Sequence, residues 1–271
     1  MRALVAPLAA FLLAGCSSTT FAEPRILVSP YLAAYQLRGS VGMQSQPTVG
    51  TFQDNAPQTM RTFGQDHHRE DFGIRADIGD GFAGARLDYY KLDMGTSKTG
   101  VLGADWGRLL ANDTVRMAAE MDEVRIGYLD SIGTMRATLR DRPLTLRFAA
   151  GGVLSHRSLA LKARTADGAR SQNAEIEGDA LFLATRFRAQ WRDWSFDTDY
   201  AISPQLVLGG DFENVMQDLE LRVAYAVPMH DVTFFGGYRF SAFEAKGRAD
   251  VYDYRADLQI DGFQVGVSVS F

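Results

Sequence analysis

The chain contains one cysteine, Cys16, so no intramolecular disulfide can form even in an oxidising compartment. It also lacks any apolar run of the ~18 residues that a membrane-spanning helix needs. The uncharged apolar run from Ala3 to Gly15 is too short for one. The net charge of −5, from 28 Lys and Arg against 33 Asp and Glu, is mildly acidic and argues against a nucleic-acid partner. No P-loop, dinucleotide fingerprint or zinc-ligand spacing occurs, and no cofactor or metal is expected. There is no internal repeat, low-complexity tract or interdomain linker, so the sequence reads as one domain.

What the chain does have is 26 Gly, 17 Phe and 10 Tyr, which suits strands, tight turns and aromatic girdles. Its mean hydropathy of −0.13 is far from that of a helical membrane protein. The most informative stretch is the last one, from Phe263 to Phe271. Phe263, Val265, Val267, Val269 and Phe271 alternate with Gln264, Gly266, Ser268 and Ser270. A strand sends successive side chains to opposite faces, so one side is apolar and the other small or polar. About nine residues are what a tilted strand needs to cross a bilayer.

This ending resembles the C-terminal assembly signal of Gram-negative outer-membrane β-barrels, on Gln264, Gly266, Val269 and the terminal Phe271. The resemblance is to that class and not to a named member. It implies a transmembrane barrel in the outer membrane, with outer-membrane lipids, lipopolysaccharide and the barrel-assembly machinery as partners. A chain without a spanning helix can cross lipid only as a closed barrel, because every strand hydrogen bond must be satisfied internally.

The amino terminus reads as an export signal: Arg2, the apolar run, then Cys16 and the small polar residues Ser17 to Thr20. Two cleavage sites compete. Leu13-Ala14-Gly15-Cys16 resembles a lipobox, which would acylate Cys16 and remove residues 1–15. Thr20-Phe21-Ala22 before Glu23 resembles an ordinary site, which would remove 1–22 and leave 23–271 as the barrel domain.

Period-2 runs predict about ten strands, near 26–38, 71–79, 82–92, 121–131, 143–160, 177–191, 194–203, 214–227, 231–244 and 256–271. Eight or twelve are the alternative counts. Short connections at 79–81, 192–193 and 228–230, with a longer one at 140–143, alternate with long polar segments near 39–70, 93–120, 161–176, 204–213 and 245–255. Short turns on one rim and long loops on the other are the outer-membrane pattern, and they put both termini on the periplasmic side.

Within the strands, Leu181, Leu183, Phe187 and Trp191 share one face, and Arg186 and Arg188 share the other. If the apolar face meets lipid, the lumen is lined by Arg86, Asp88, Glu123, Arg125, Arg186, Arg188, Asp197, Asp199, Glu220, Arg222 and Arg239. Arg75, Asp77, Arg147 and Asp218 join them. A soluble barrel would reverse these faces, and periodicity does not separate the two cases.

Opposite charges in similar number imply a lumen closed by ion pairs or very narrow, and a structural or surface-interaction role. The competing reading is a narrow channel selected by charge rings. A third comes from His156-Arg157-Ser158. It resembles the His-x-Ser of lipid A 3-O-deacylase barrels, implying a base-activated serine with Glu175 or Glu177 orienting the histidine. Leu159 stands where that family has Asn. The reading preferred is no enzyme. His67 and His68 with Asp66, Glu70 and Asp71 are read as solvated loop residues rather than a metal site. Leu102 to Ala111, around Trp106, is expected to form a short helix capping the barrel mouth.

Overall fold

A computed structural model describes residues 25–65, 67–95, 98–204 and 207–271. Ten long strands make up the fold. They are β1 (Arg25–Met43), β2 (Arg69–Gly79), β3 (Gly84–Met94), β4 (Thr114–Leu139), β5 (Arg142–Thr165), β6 (Ser171–Trp191), β7 (Trp194–Ser203), β8 (Phe212–Ala226), β9 (Val232–Ala249) and β10 (Tyr252–Ser270). Each pairs antiparallel with its neighbours in sequence, and β10 pairs with β1 to complete a ring. At that seam the Phe271 N–H donates to the Ile26 carbonyl at 2.9 Å, and the Ile26 N–H donates back at 3.3 Å.

The register fixes the slant of the ring. Following cross-strand partners from Gly79 through Gly84, Leu129, Gly151, Ala184, Ala201, Asp218, Ser241 and Ile260 arrives at Leu37. Gly79 itself pairs with Arg25, so the circuit has climbed the 12 residues from Arg25 to Leu37. Ten strands with that stagger tilt by about 40°.

The ring has two storeys of opposite polarity. Near the termini the outward side chains are apolar and the inward ones charged, as predicted. On β6 the outward residues Trp191, Ala189, Phe187, Leu183 and Leu181 span ten residue steps, interrupted by Thr185. At about 3.3 Å per residue and that tilt, the belt is ~25 Å tall, the height of a transmembrane barrel's apolar band. Trp191, Trp194, Tyr225 and Phe271 mark its lower margin.

Above the belt the pattern inverts. Asp179, Glu177 and Glu175 face out, while Ala180, Ile176 and Ala174 face in and are buried. Leu37, Met94, Val115, Leu161, Phe243 and Leu258 join them in an apolar core. The sequence reading carried the apolar-out face along whole strands. In this storey the faces exchange roles because the outer wall carries charge and the inside has become dry.

The expected loops shrink accordingly. The polar segment 161–176 is mostly strand, turning at Ala166 to Arg170, and 245–255 is strand around Asp250-Val251. Their charged residues belong to outward faces and not to loops. The described parts of 44–68 and 95–113 leave the ring except where Gln58–Thr59 pairs with β1 and Gly100–Val101 pairs with β4. They fold inward over its far end with a small hairpin (Ser45–Thr48 with Thr51–Gln53) and a 3₁₀ turn at Met60–Phe63. No helix forms at 102–111. Trp106 and Leu109 instead close a tight turn, with backbone bonds of 2.9 and 3.0 Å.

At the terminal rim most turns are short. The one between β4 and β5 is not the longer connection expected at 140–143. Arg140 and Asp141 make a two-residue turn with φ of 51° and 58°, the left-handed pair of a type I′ hairpin. What is long is the hairpin below it. Pairing of β3 with β4 stops at Gly84–Leu129, but β4 and β5 continue together to Leu139–Arg142.

Candidate functional site

The belt storey encloses layers of ion pairs, stacked from the terminal rim upward. Lowest, Asp197 accepts from Arg188 at 2.5 and 3.1 Å and from Arg222 at 2.9 Å. Above it, Asp199 takes both Arg186 (2.5 and 3.0 Å) and Arg86 (2.8 Å), and Arg86 also reaches Asp77 at 2.6 Å. Next, Arg75 bridges Glu220 at 2.7 Å and Asp88 at 3.1 Å. At the top, Glu123 accepts from Arg157 at 2.9 Å, Arg239 at 3.1 Å and the Ser155 hydroxyl at 2.6 Å. Asp218 holds Arg239 and Arg125, each at 3.0 Å.

Neutral side chains tie the layers to the wall. The Tyr31 hydroxyl donates to Asp88 at 3.1 Å, Tyr35 donates to Gln264 at 3.0 Å, and the Gln264 amide donates to Glu220 at 2.8 Å. Desolvating so many charges is tolerable only because each guanidinium meets a carboxylate.

The polar storey ends where arginines stack on rings. Arg157 lies 4.5 Å from the centroid of Phe243, and Arg239 lies 4.4 Å from that of Tyr90. Guanidinium planes over aromatic faces suit a boundary between charged and apolar layers. Beyond it the lumen is plugged by side chains. Trp106 and Phe63 meet edge-to-face at 5.2 Å, both buried together with Met60, Leu102 and Leu109. Gln58 accepts from the Gly103 N–H at 2.9 Å, pinning one capping segment to the other.

Two spaces remain within the belt storey. A cavity of about 50 Å³ lies beside Arg75, Arg125 and Ala184. A vestibule of about 330 Å³ opens at the terminal rim, between Arg25, Asp77, Arg188, Arg222 and Asp231.

The ring aligns with a solved structure along nearly its whole length. The outer membrane protease OmpT from Escherichia coli aligns over 94 % of this chain and 99 % of its own, with a TM-score of 0.50 and 10 % identity. The fold is that of an outer-membrane β-barrel. At that identity the likeness is one of architecture and not of activity. A Pseudomonas aeruginosa FadL homologue (TM-score 0.31, 8 % identity, 92 % and 90 % covered) and Ail of Yersinia pestis (0.28, 8 %, 92 % and 99 %) align more loosely with the barrel. No family model matches the chain, and no curated protein does.

The barrel brings Arg86, Asp88, Glu123, Arg125, Arg186, Arg188, Asp197, Asp199, Glu220, Arg222 and Arg239 into the ion-paired layers just described. Sequence reasoning passed over Arg157, one of its most buried members. Its parity was the available signal, since it shares an inward face with Ser155 and Leu159. The neighbouring His156 and Ser158 point outward. Nδ1 of His156 meets Asp179 at 2.9 Å, and no hydrogen bond joins His156 to Ser158 among the described residues. Glu175 is not its partner; Glu177 lies 3.8 Å from its other ring nitrogen.

Gln264 and Gly266 face inward, and Phe271 sits at the exposed end of the seam. Cys16 and both cleavage sites lie outside the described residues, as does Asp66. No group of three or more His, Cys, Asp or Glu among the described residues is placed to hold a metal.

Proposed function

We propose that the protein is a non-conducting outer-membrane barrel whose far-end storey stands outside the membrane as a rigid platform for surface contacts. The observation that carries this reading is the double filling of the lumen. Cross-lumen ion pairs occupy the belt storey, and an apolar plug around Phe63 and Trp106 occupies the other. A channel needs a wetted path through both.

The orientation follows from the rims. Tight turns and both termini mark the periplasmic side, and the long capping segments 44–68 and 95–113 mark the outside. On this reading the charged outer wall, with Glu175, Glu177 and Asp179, stands at and above the lipopolysaccharide surface. The barrel acts through that wall and its caps rather than through its lumen, and it has no catalytic role.

The test is conductance of the refolded, heat-modifiable protein in planar bilayers. Current indistinguishable from the bare bilayer is expected. Discrete steps would sink the reading in favour of a channel lined by the arginine and carboxylate layers. Mass analysis of lipid A from expressing cells is expected to show no lost acyl chain. A lost chain would restore His156 and Ser158 as a catalytic pair.

A further inference from the structure

The β4–β5 hairpin has an unused edge. β3 stops pairing with β4 at Leu129, and a bulge then leaves Ile132 without a cross-strand partner. Below the bulge, Gly133 to Leu139 keep regular register with Phe148 to Arg142 on β5, while their other edge has no neighbouring strand among the described residues. Every second residue of this stretch therefore turns its backbone N–H and C=O to an edge with no strand beside it among the described residues.

The alternation of the belt continues down this hairpin, past the aromatic margin. Met135, Ala137 and Leu139 face out beside Leu146 and Leu144. Thr134, Arg136 and Thr138 face the other way with Thr145 and Arg147. Met135 is 61 % exposed and Leu139 47 %. Arg136, Arg140 and Arg142 make no side-chain ion pair or hydrogen bond among the described residues.

We propose that the Gly133–Leu139 edge takes up an extended, acidic segment of a second polypeptide as an added strand. This goes beyond the platform reading and uses the opposite end of the molecule. Lipid suits the apolar side chains but leaves the backbone edge unpaired, which hydrocarbon does not tolerate. Water satisfies the edge but leaves the apolar row exposed.

A second copy of the chain cannot serve. Two barrels upright in one membrane are related by an axis along its normal, so strands tilted by about 40° cross at about 80° where like edges meet, too steep an angle for a ladder to form. A strand from another polypeptide satisfies the edge through its main chain. Its apolar residues extend the outer row, and its carboxylates meet Arg136 and the tip arginines.

The probe is a nine-residue peptide, acetyl-Glu-Val-Thr-Val-Glu-Val-Thr-Val-Glu-amide, added to the refolded full-length protein. Binding is expected to slow amide exchange within 133–139 at least ten-fold. Methylating the peptide's backbone nitrogens should abolish it, and Arg136→Glu should weaken it at least ten-fold while leaving heat-modifiability intact. Ala137→Pro, which distorts the edge without changing charge, should also prevent binding.

Absence of protection, or equal binding by the methylated peptide, would overturn the proposal. So would a nitroxide at Met135→Cys, in a Cys16→Ser chain, that lipid-soluble oxygen relaxes as strongly as one at Leu183→Cys. That result would place the edge in lipid.

Discussion

Glu123 and Arg239 meet 3.1 Å apart although their strands, β4 and β9, lie five positions apart whichever way the ring is followed. The pair spans the full width of the barrel. Glu123 also takes Arg157, so one carboxylate neutralises two guanidinium groups from different walls. Removing it leaves Arg157 without a carboxylate and Arg239 leaning on Asp218. Glu123→Leu is expected to cost about 3–5 kcal/mol, read as a lower urea midpoint in micelles. The outward His156→Ala should change the midpoint by no more than about 0.5 kcal/mol. Equal effects would mean that the network contributes little.

Leu183 is 57 % exposed and Arg186 only 5 %, three residues apart on one strand and on opposite faces of it. A charge on the lipid face near the midplane costs roughly 2–4 kcal/mol. Leu183→Arg should therefore impair refolding into vesicles far more than Arg186→Leu, which leaves Asp199 paired with Arg86. The reverse order would mean that the belt does not face lipid.

Trp106 fills the plug at the far end. Trp106→Ala should cost about 3–5 kcal/mol of that storey's stability. Proteolysis should then open the 95–113 and 44–68 segments while the belt strands remain protected. A protease pattern unchanged from wild type would show that the plug is not held by this ring.

Phe271 ends the closing strand with its side chain 77 % exposed and its backbone bonded to Ile26. The residue therefore contributes little to packing, and its proposed use is recognition during assembly. Phe271→Ser, or its deletion, should lower the yield of heat-modifiable protein in cells while leaving refolding from urea nearly unchanged. Normal yield in the outer membrane would count against the signal.

Radiolabelled palmitate should enter the mature protein and be lost with Cys16→Ala if the lipobox is used. A mature terminus at Glu23 would decide for the ordinary cleavage site.

The belt was legible from the sequence because Leu183 and Phe187 alternate with Arg186 and Arg188, and period 2 marks a strand directly. The inversion above it was not. Glu175 and Glu177 alternate with Ala174 and Ile176 just as regularly, but alternation does not say which face is inside. Read with lipid outside, that stretch looked like loop, and 161–176 was assigned accordingly. Arg157 was missed for a related reason. The pair His156 and Ser158 suggested chemistry, while the residue between them pointed into the lumen. The crossings from Arg239 to Glu123 depend on ring closure and register, which no local pattern contains.

The exchange of faces at the top of the belt also sets how deep the molecule sits. Above Leu181 the next outward side chains on β6 are Asp179 and Glu177, and above Leu154 on β5 comes His156. Sinking by one side-chain repeat would submerge that collar in hydrocarbon. Rising by as much would draw Trp191, Trp194 and Phe271 off their margin. On the proposed placement the barrel is held like a rivet, its vertical position fixed to within a few ångströms by the order of its residues.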